Sequence, residues 1–229
     1  MSGRTGEKTA LTILLTGFSA FPGAPFNPTE ALVALLQARR VYFAQRGIRL
    51  EPRVLPVVYT AIAPAISAHV EELAPDVILH FGLAARRSRL SIETLARNRV
   101  NQIHWDAAGR QAEHATVVRN GAPRLKARIP APEMAAALRQ AGYACDLSRD
   151  AGDYLCNAAF YLSLATPHAA HVGFIHVPPL RQPNHRASPA KKQHSLTMPQ
   201  LLDAAEIIAL TAAKEANRSL QRMHELAMN

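Results

Sequence analysis

The chain has 229 residues, 48% hydrophobic and 19% charged, proportions that suit a folded protein with a substantial core and exclude a disordered chain. Its two cysteines, Cys145 and Cys156, are too few for a disulfide framework and lack a CxxC spacing, which points to a reducing compartment. Lys and Arg outnumber Asp and Glu by 26 to 17, a net charge of +9. The densest arginine cluster (Arg86, Arg87, Arg89, Arg97 and Arg99) has no interleaved aromatics and no zinc spacing, so nucleic acid is not the expected partner.

The first residues are charged and lead into a short apolar run, TALTILLTGF, too short to span a bilayer and followed by no small-residue cleavage site. Nothing else approaches a membrane span. A cytoplasmic protein with one α/β domain over residues 1–229 is expected.

Short apolar, β-branched runs alternate with helical patterns along the chain, the signature of an α/β domain. Leu11–Thr16 is too apolar for an edge strand and leads into the turn-rich stretch Phe18–Pro28. Asn27 followed by Pro28 reads as an N-cap with proline at the first helical position, and Glu30 lies in the first turn. The helix shows apolar spacing through Ala31, Leu32, Leu35, Leu36 and Val41 and stops near Gly47. Leu50–Tyr59 contains Pro52 and Pro56, which makes it a peripheral or bulged strand. Ala61–Leu73 reads as a helix and Val77–Phe81 as a central strand.

Ser88–Asn98 looks extended, and Gln102–Arg128, punctuated by polar residues and glycine, is expected to be an exposed excursion of strand and loop. A helix at Pro132–Gln140 ends at Gly142, and a short strand follows at Tyr143–Leu147. Ala151–Tyr154 turns into a helix from Cys156 to Leu164, Val172–Val177 is another central strand, and proline-rich Pro178–His194 is a loop. Met198–Met223 has strong helical periodicity. The simplest assembly is a three-layer α/β/α sandwich with a mostly parallel central sheet.

Three residues carry candidate chemistry. Cys156 sits where a strand-to-helix turn ends, so helix-start amides would favour a thiolate, lower its pKa and hold a developing oxyanion. On that ground limiting iodoacetamide should modify Cys156 well before Cys145. His176 closes a central strand, where catalytic groups of open α/β sheets gather, and could take the thiol's proton. Glu93, among apolar neighbours, could orient the imidazole. Each has a plainer reading: a buried apolar cysteine, a strand-end histidine, and an ion pair with a nearby arginine.

Four strings change the balance when read together: LLTGFSAFPGAPFNPT, FGLAARRSRLSIETLARN, AGDYLCNAAFYLSL and GFIHVP. Their order and spacing resemble those of the pyroglutamyl peptidase I (pyrrolidone-carboxylate peptidase) family of cysteine peptidases. The resemblance implies removal of N-terminal pyroglutamyl residues from peptides through a thioester, without metal or organic cofactor, by a homo-oligomer, dimer or tetramer. It places Glu93, Cys156 and His176 at the catalytic positions. It also places Phe18, Phe21, Asn27, Leu83, Arg87 and Tyr154 around the substrate. Leu83 stands where bacterial members commonly carry glutamine, Ala85-Arg86 where they carry a glycine pair, and Arg97 where an apolar residue is usual. A member that binds peptides or acyl-amides without turning them over is the other reading these departures allow.

Overall fold

The computed structural model describes residues 10–21, 23–166, 171–181 and 196–227. Its strands are β1 (Leu11–Phe18), β2 (Ile48–Leu55), β3 (Val77–Leu83), β4 (Leu90–Glu93), β5 (Leu95–Arg97), β6 (Arg124–Lys126), β7 (Cys145–Ser148) and β8 (His171–Val177). The helices are α1 (Pro28–Ala38), α2 (Arg40–Ala44), α3 (Tyr59–Leu73), α4 (Ala131–Gln140), α5 (Leu155–Ala165) and α6 (Met198–Ala227).

Six strands form one sheet in the order β2-β1-β3-β8-β4-β7, and β5 pairs with β6 in a second, two-stranded sheet. All pairs in the large sheet are parallel except β4 with β8. Parallel strands must be covered on both faces, which is why β1 is buried along its whole length. Alternate residues of β1 and β3 enter two separate cores. Ile13, Leu15, Leu79 and Phe81 pack with α1, α2, α4 and α6. Leu14, Phe18 and Ile78 pack with α3 and α5. The result is the expected three-layer α/β/α sandwich.

Local rules explain the element ends. Asn27 caps α1, its side chain accepting from the amide and hydroxyl of Thr29 and donating to the Ser19 carbonyl. Gly17 is required beside it, because a Cβ there would lie 2.1 Å from the Thr29 carbonyl oxygen. β2 takes the sheet edge, where Pro52 can lack an N–H without breaking a ladder.

Some boundaries differ from the sequence expectation. The first helix breaks at Arg39, whose amide bonds back to Leu36 in a tight turn. The turn re-aims the chain so that Phe43 is buried and Arg40 reaches the buried Glu51. α3 begins at Tyr59 rather than Ala61, and its start is held by Asp106, whose carboxylate accepts from the Tyr59 amide. The extended stretch 88–98 is shared between two sheets, β4 joining the large one and β5 the small one. The excursion from 102 to 128 contributes only β6 to a sheet. Of the proline-rich loop expected at 178–194, positions 182–194 lie outside the described residues. Among the described residues no helix is long and apolar enough to cross a membrane.

Candidate active site

The site gathers at the carboxyl ends of β1, β3 and β8, where loops of a parallel sheet leave a crevice. The nucleophile candidate occupies space that a glycine leaves free. A Cβ at Gly82 would lie 2.8 Å from Cys156 Sγ and 2.6 Å from Phe174 Cζ. Gly82 lies directly opposite His176 in the β3–β8 pairing, and neighbouring strands are about 4.8 Å apart. Sulfur and imidazole therefore rest over adjacent strands on one face of the sheet. Cys145 belongs to the core of the other face, so the two free thiols are kept apart by the sheet.

The antiparallel pairing of β4 with β8 supplies the third group. It sets Ser91 opposite His176 and Glu93 opposite Phe174, so Glu93 reaches the imidazole along the diagonal. His176 Nδ1 lies 2.8 Å from Glu93 Oε1. With the carboxylate ionised, Nδ1 must carry the proton, which leaves Nε2 as an acceptor. Glu93 is fully buried and heavily engaged. Arg87 lies 2.7 Å from the same Oε1, and the Asp150 amide donates to Oε2 at 3.2 Å. Among the described residues the ring's hydrogen bond runs to Glu93 and not to the sulfur.

These contacts set the charges. Burial alone would raise the Glu93 pKa, but the bond from His176, the Ser148 hydroxyl and the Arg87 charge hold it below the ordinary carboxylate value. Burial lowers the His176 pKa despite Glu93, and Arg87 lowers it further. The thiol corrects an expectation. Loss of water around the sulfur, helped by the nearby Glu93, pushes Cys156 up to about 12, with Arg87 offsetting only part of the rise. Burial likewise pushes Cys145 up to about 11. Both thiols are protonated at neutral pH, so preferential alkylation of Cys156 cannot rest on a preformed thiolate.

α5 starts at Leu155 with Tyr154 as its extended N-cap residue and no capping side chain. Among the described residues no side chain caps its first amides, which can therefore receive an anion. The loop before it is strapped by the arginine cluster. Arg97 pairs with Asp150, Arg99 with Asp153, and Arg87 donates to the Asp150 carbonyl. Asn157, one residue beyond the cysteine, bonds the backbone of Arg97 and Arg99, locking α5 to β5 and the residues after it.

The proposed substrate residues separate into two groups. Phe21 packs at a tilt against Tyr154 with centroids 5.9 Å apart, and Phe18 lies 6.2 Å from Phe174, itself 4.8 Å from the His176 ring. Burial, Asp106 and Cys156 push the Tyr154 phenol up to about 12, so this aromatic wall is uncharged. Asn27, Leu83 and Arg87 form the second group. Asn27 caps α1, Arg87 bonds Glu93, Ser148 and Asp150, and strand alternation puts Leu83 with Val177 on the face opposite Cys156. Sequence reasoning missed Gly82, Phe174, Tyr59 and Asn157. Tyr59 meets Tyr154 edge-on at 5.7 Å, and only the glycine closing a central strand carried a readable signal. Among the described residues no group of three or more His, Cys, Asp or Glu is arranged to hold a metal ion.

The pyroglutamyl peptidase family model matches residues 11–218. The chain belongs to the pyroglutamyl peptidase family. It is 35% identical over 172 residues to a pyrrolidone-carboxylate peptidase of Pyrococcus furiosus, covering 73% of this chain and 81% of that protein. It is 31% identical over 220 residues to one of Cupriavidus necator, covering 93% and 99%. Among solved structures, the pyrrolidone carboxyl peptidase of Thermus thermophilus superposes with a TM-score of 0.75 at 34% identity, covering 87% of this chain and 99% of that one. That of Thermococcus litoralis gives 0.79 at 25% identity, covering 91% and 96%. Gly82, Glu93, Cys156 and His176 all lie within the segment that the pyroglutamyl peptidase model spans.

Proposed function

We propose that this chain hydrolyses the bond after an N-terminal pyroglutamyl residue, with Cys156 as nucleophile, His176 as general base and Glu93 as its orienter. The observation that carries the reading is the Glu93–His176 bond set on the same sheet face as the sulfur over Gly82. Because the thiol is protonated and the ring neutral, attack and proton transfer are coupled. Sγ bonds to the pyroglutamyl carbonyl carbon as Nε2 takes its proton, and the amides at the start of α5 receive the oxyanion. The imidazolium, stabilised by Glu93, then protonates the leaving amine. Water, deprotonated by the same ring, cleaves the thioester and restores the thiol. Pyroglutamate has no charged amine, and the uncharged wall of Phe18, Phe21 and Tyr154 suits its lactam by shape and stacking. Two free thiols on opposite faces of the sheet fit a cytoplasmic setting.

The test is release of the chromophore from a pyroglutamyl amide beside the same amide of proline. Hydrolysis of the first alone supports the reading, and hydrolysis of neither at micromolar enzyme favours a binding protein without turnover. Two further outcomes follow from the geometry. Gly82→Ala puts a methyl group into the sulfur's place, so kcat should fall about 100-fold while circular dichroism stays native. Protonation of His176 abolishes its action as base, so the acid limb of kcat/KM should lie below the ordinary histidine value of about 6.5. Removing the Arg87 charge by Arg87→Met relieves one cause of that lowering, so the limb should move to higher pH in a profile taken from about pH 5 to 8.

A further inference from the structure

Under the site, and used by none of the steps above, lies a fully buried histidine. His80 Nδ1 is 2.7 Å from Thr16 Oγ1, and its Nε2 is 2.9 Å from Ser163 Oγ. All three residues are without exposed surface. Burial holds the ring neutral, with its pKa down at about 3. A neutral imidazole has one donor and one acceptor, so one hydroxyl donates to it and the other accepts. Such a fully satisfied buried network fixes geometry more firmly than apolar packing alone.

The three partners sit on the elements that build the site. Thr16 is on β1, two residues before Phe18, and lies opposite His80 in the sheet. His80 is on β3, two residues before Gly82 and on the same face. Ser163 is on α5, about two helical turns after Cys156. α5 therefore rests on β3 at two points, the sulfur over Gly82 and the Ser163 hydroxyl on His80. A second line of contact leads to the base. The His80 ring is 5.9 Å from that of Phe174, and Phe174 is 4.8 Å from His176. The helix that carries the nucleophile and the aromatic ring beside the base thus both contact one buried imidazole. Since the hydrogen bond of His176 runs to Glu93, the distance from ring to sulfur is set by how α5 packs on β3 and β8.

We propose that His80 is a positioning residue: by tying α5 to β1 and β3 it sets the separation between the Cys156 sulfur and the His176 imidazole. The inference rests on the peptidase reading of the site, and its test has one arm that does not. Ser163→Ala removes one hydrogen bond with little change of shape. His80→Phe keeps a ring against Phe174 and removes both bonds, whereas His80→Gln retains a donor and an acceptor. Each variant is compared with the unaltered chain in kcat and KM on a pyroglutamyl amide, in alkylation of Cys156 by limiting iodoacetamide, and in thermal unfolding.

At temperatures where all are folded, kcat should fall about 10-fold in Ser163→Ala and about 100-fold in His80→Phe, with KM changed by less than about twofold. His80→Gln should recover part of the loss. The double variant Ser163→Ala/His80→Phe should be no slower than His80→Phe, because the two changes remove the same bond. Alkylation of Cys156 should slow in the same order. Unchanged kcat per folded molecule, or losses that follow only the folded fraction, would overturn the proposal, and Ser163→Ala decides it should His80→Phe not fold. If the unaltered chain hydrolyses no pyroglutamyl amide while alkylation still follows this order, the substrate reading fails and the positioning role stands. If alkylation is indifferent to all three changes, the positioning role fails whatever the chain hydrolyses.

Discussion

Cys156→Ala should leave no measurable hydrolysis of a pyroglutamyl amide, a loss on the order of 10⁶-fold in kcat, the scale on which removal of a nucleophile collapses a triad. The physical ground is the place of the sulfur. It fills the volume left by Gly82, beside the uncapped start of α5 and on the face that bears His176. No other described thiol can substitute, since Cys145 is packed in the core across the sheet. The fold should tolerate the change. α5 is held independently of the sulfur by Asn157 on the backbone of Arg97 and Arg99 and by Ser163 on His80. A native circular dichroism spectrum with a small drop in Tm is therefore expected beside the lost activity, and substantial residual hydrolysis would point to another nucleophile.

Glu93→Gln should cost about 10⁴-fold in kcat, the scale of loss caused by placing a catalytic histidine in the wrong tautomer. In the native site Oε1 takes the Nδ1 proton of His176 and the Arg87 guanidinium, while Oε2 takes the Asp150 amide. A carboxamide cannot accept on both sides. If its NH2 faces Asp150, two donors meet; if it faces His176, Nδ1 must become the acceptor and the proton moves to Nε2, where a base needs a lone pair. The change also removes the negative charge that stabilises the imidazolium, and leaves Arg87 without its buried partner. Loss of kcat with little change in KM is expected, because the aromatic wall is untouched. Equal activity in Glu93→Gln would reduce the carboxylate to a structural ion pair with Arg87.

The layers, the strand that carries His176 near its end and the N-cap of α1 were legible because each rests on local rules. Those rules are continuous apolar runs for central strands, asparagine before proline for a helix start, and glycine after a helix. Glu93 was readable as a buried acid among apolar neighbours. What stayed hidden depends on pairing between distant strands. Nothing in the sequence reveals that β4 runs antiparallel to β8, and only that register brings Glu93 diagonally onto His176. Gly82 acquires meaning only when the sulfur lies over it.

The thiol shows the same limit. A helix start argues for a lowered pKa, but burial and the approach of Glu93 push the thiol up, and neither is visible along the chain. Arg87 read as a substrate contact from its motif, whereas its described bonds go to Glu93, Ser148 and Asp150. The basic cluster, which had no evident task, straps the loop that leads to the cysteine.

The most direct measurement is mass spectrometry of the protein quenched in acid during turnover of a pyroglutamyl ester or amide. One pyroglutamyl group should be found on the peptide that contains Cys156, absent from Cys156→Ala and accumulating when His176 is replaced by a residue that cannot activate water. Turnover with no adduct at Cys156, or an adduct on another residue, would contradict a thioester formed at that sulfur.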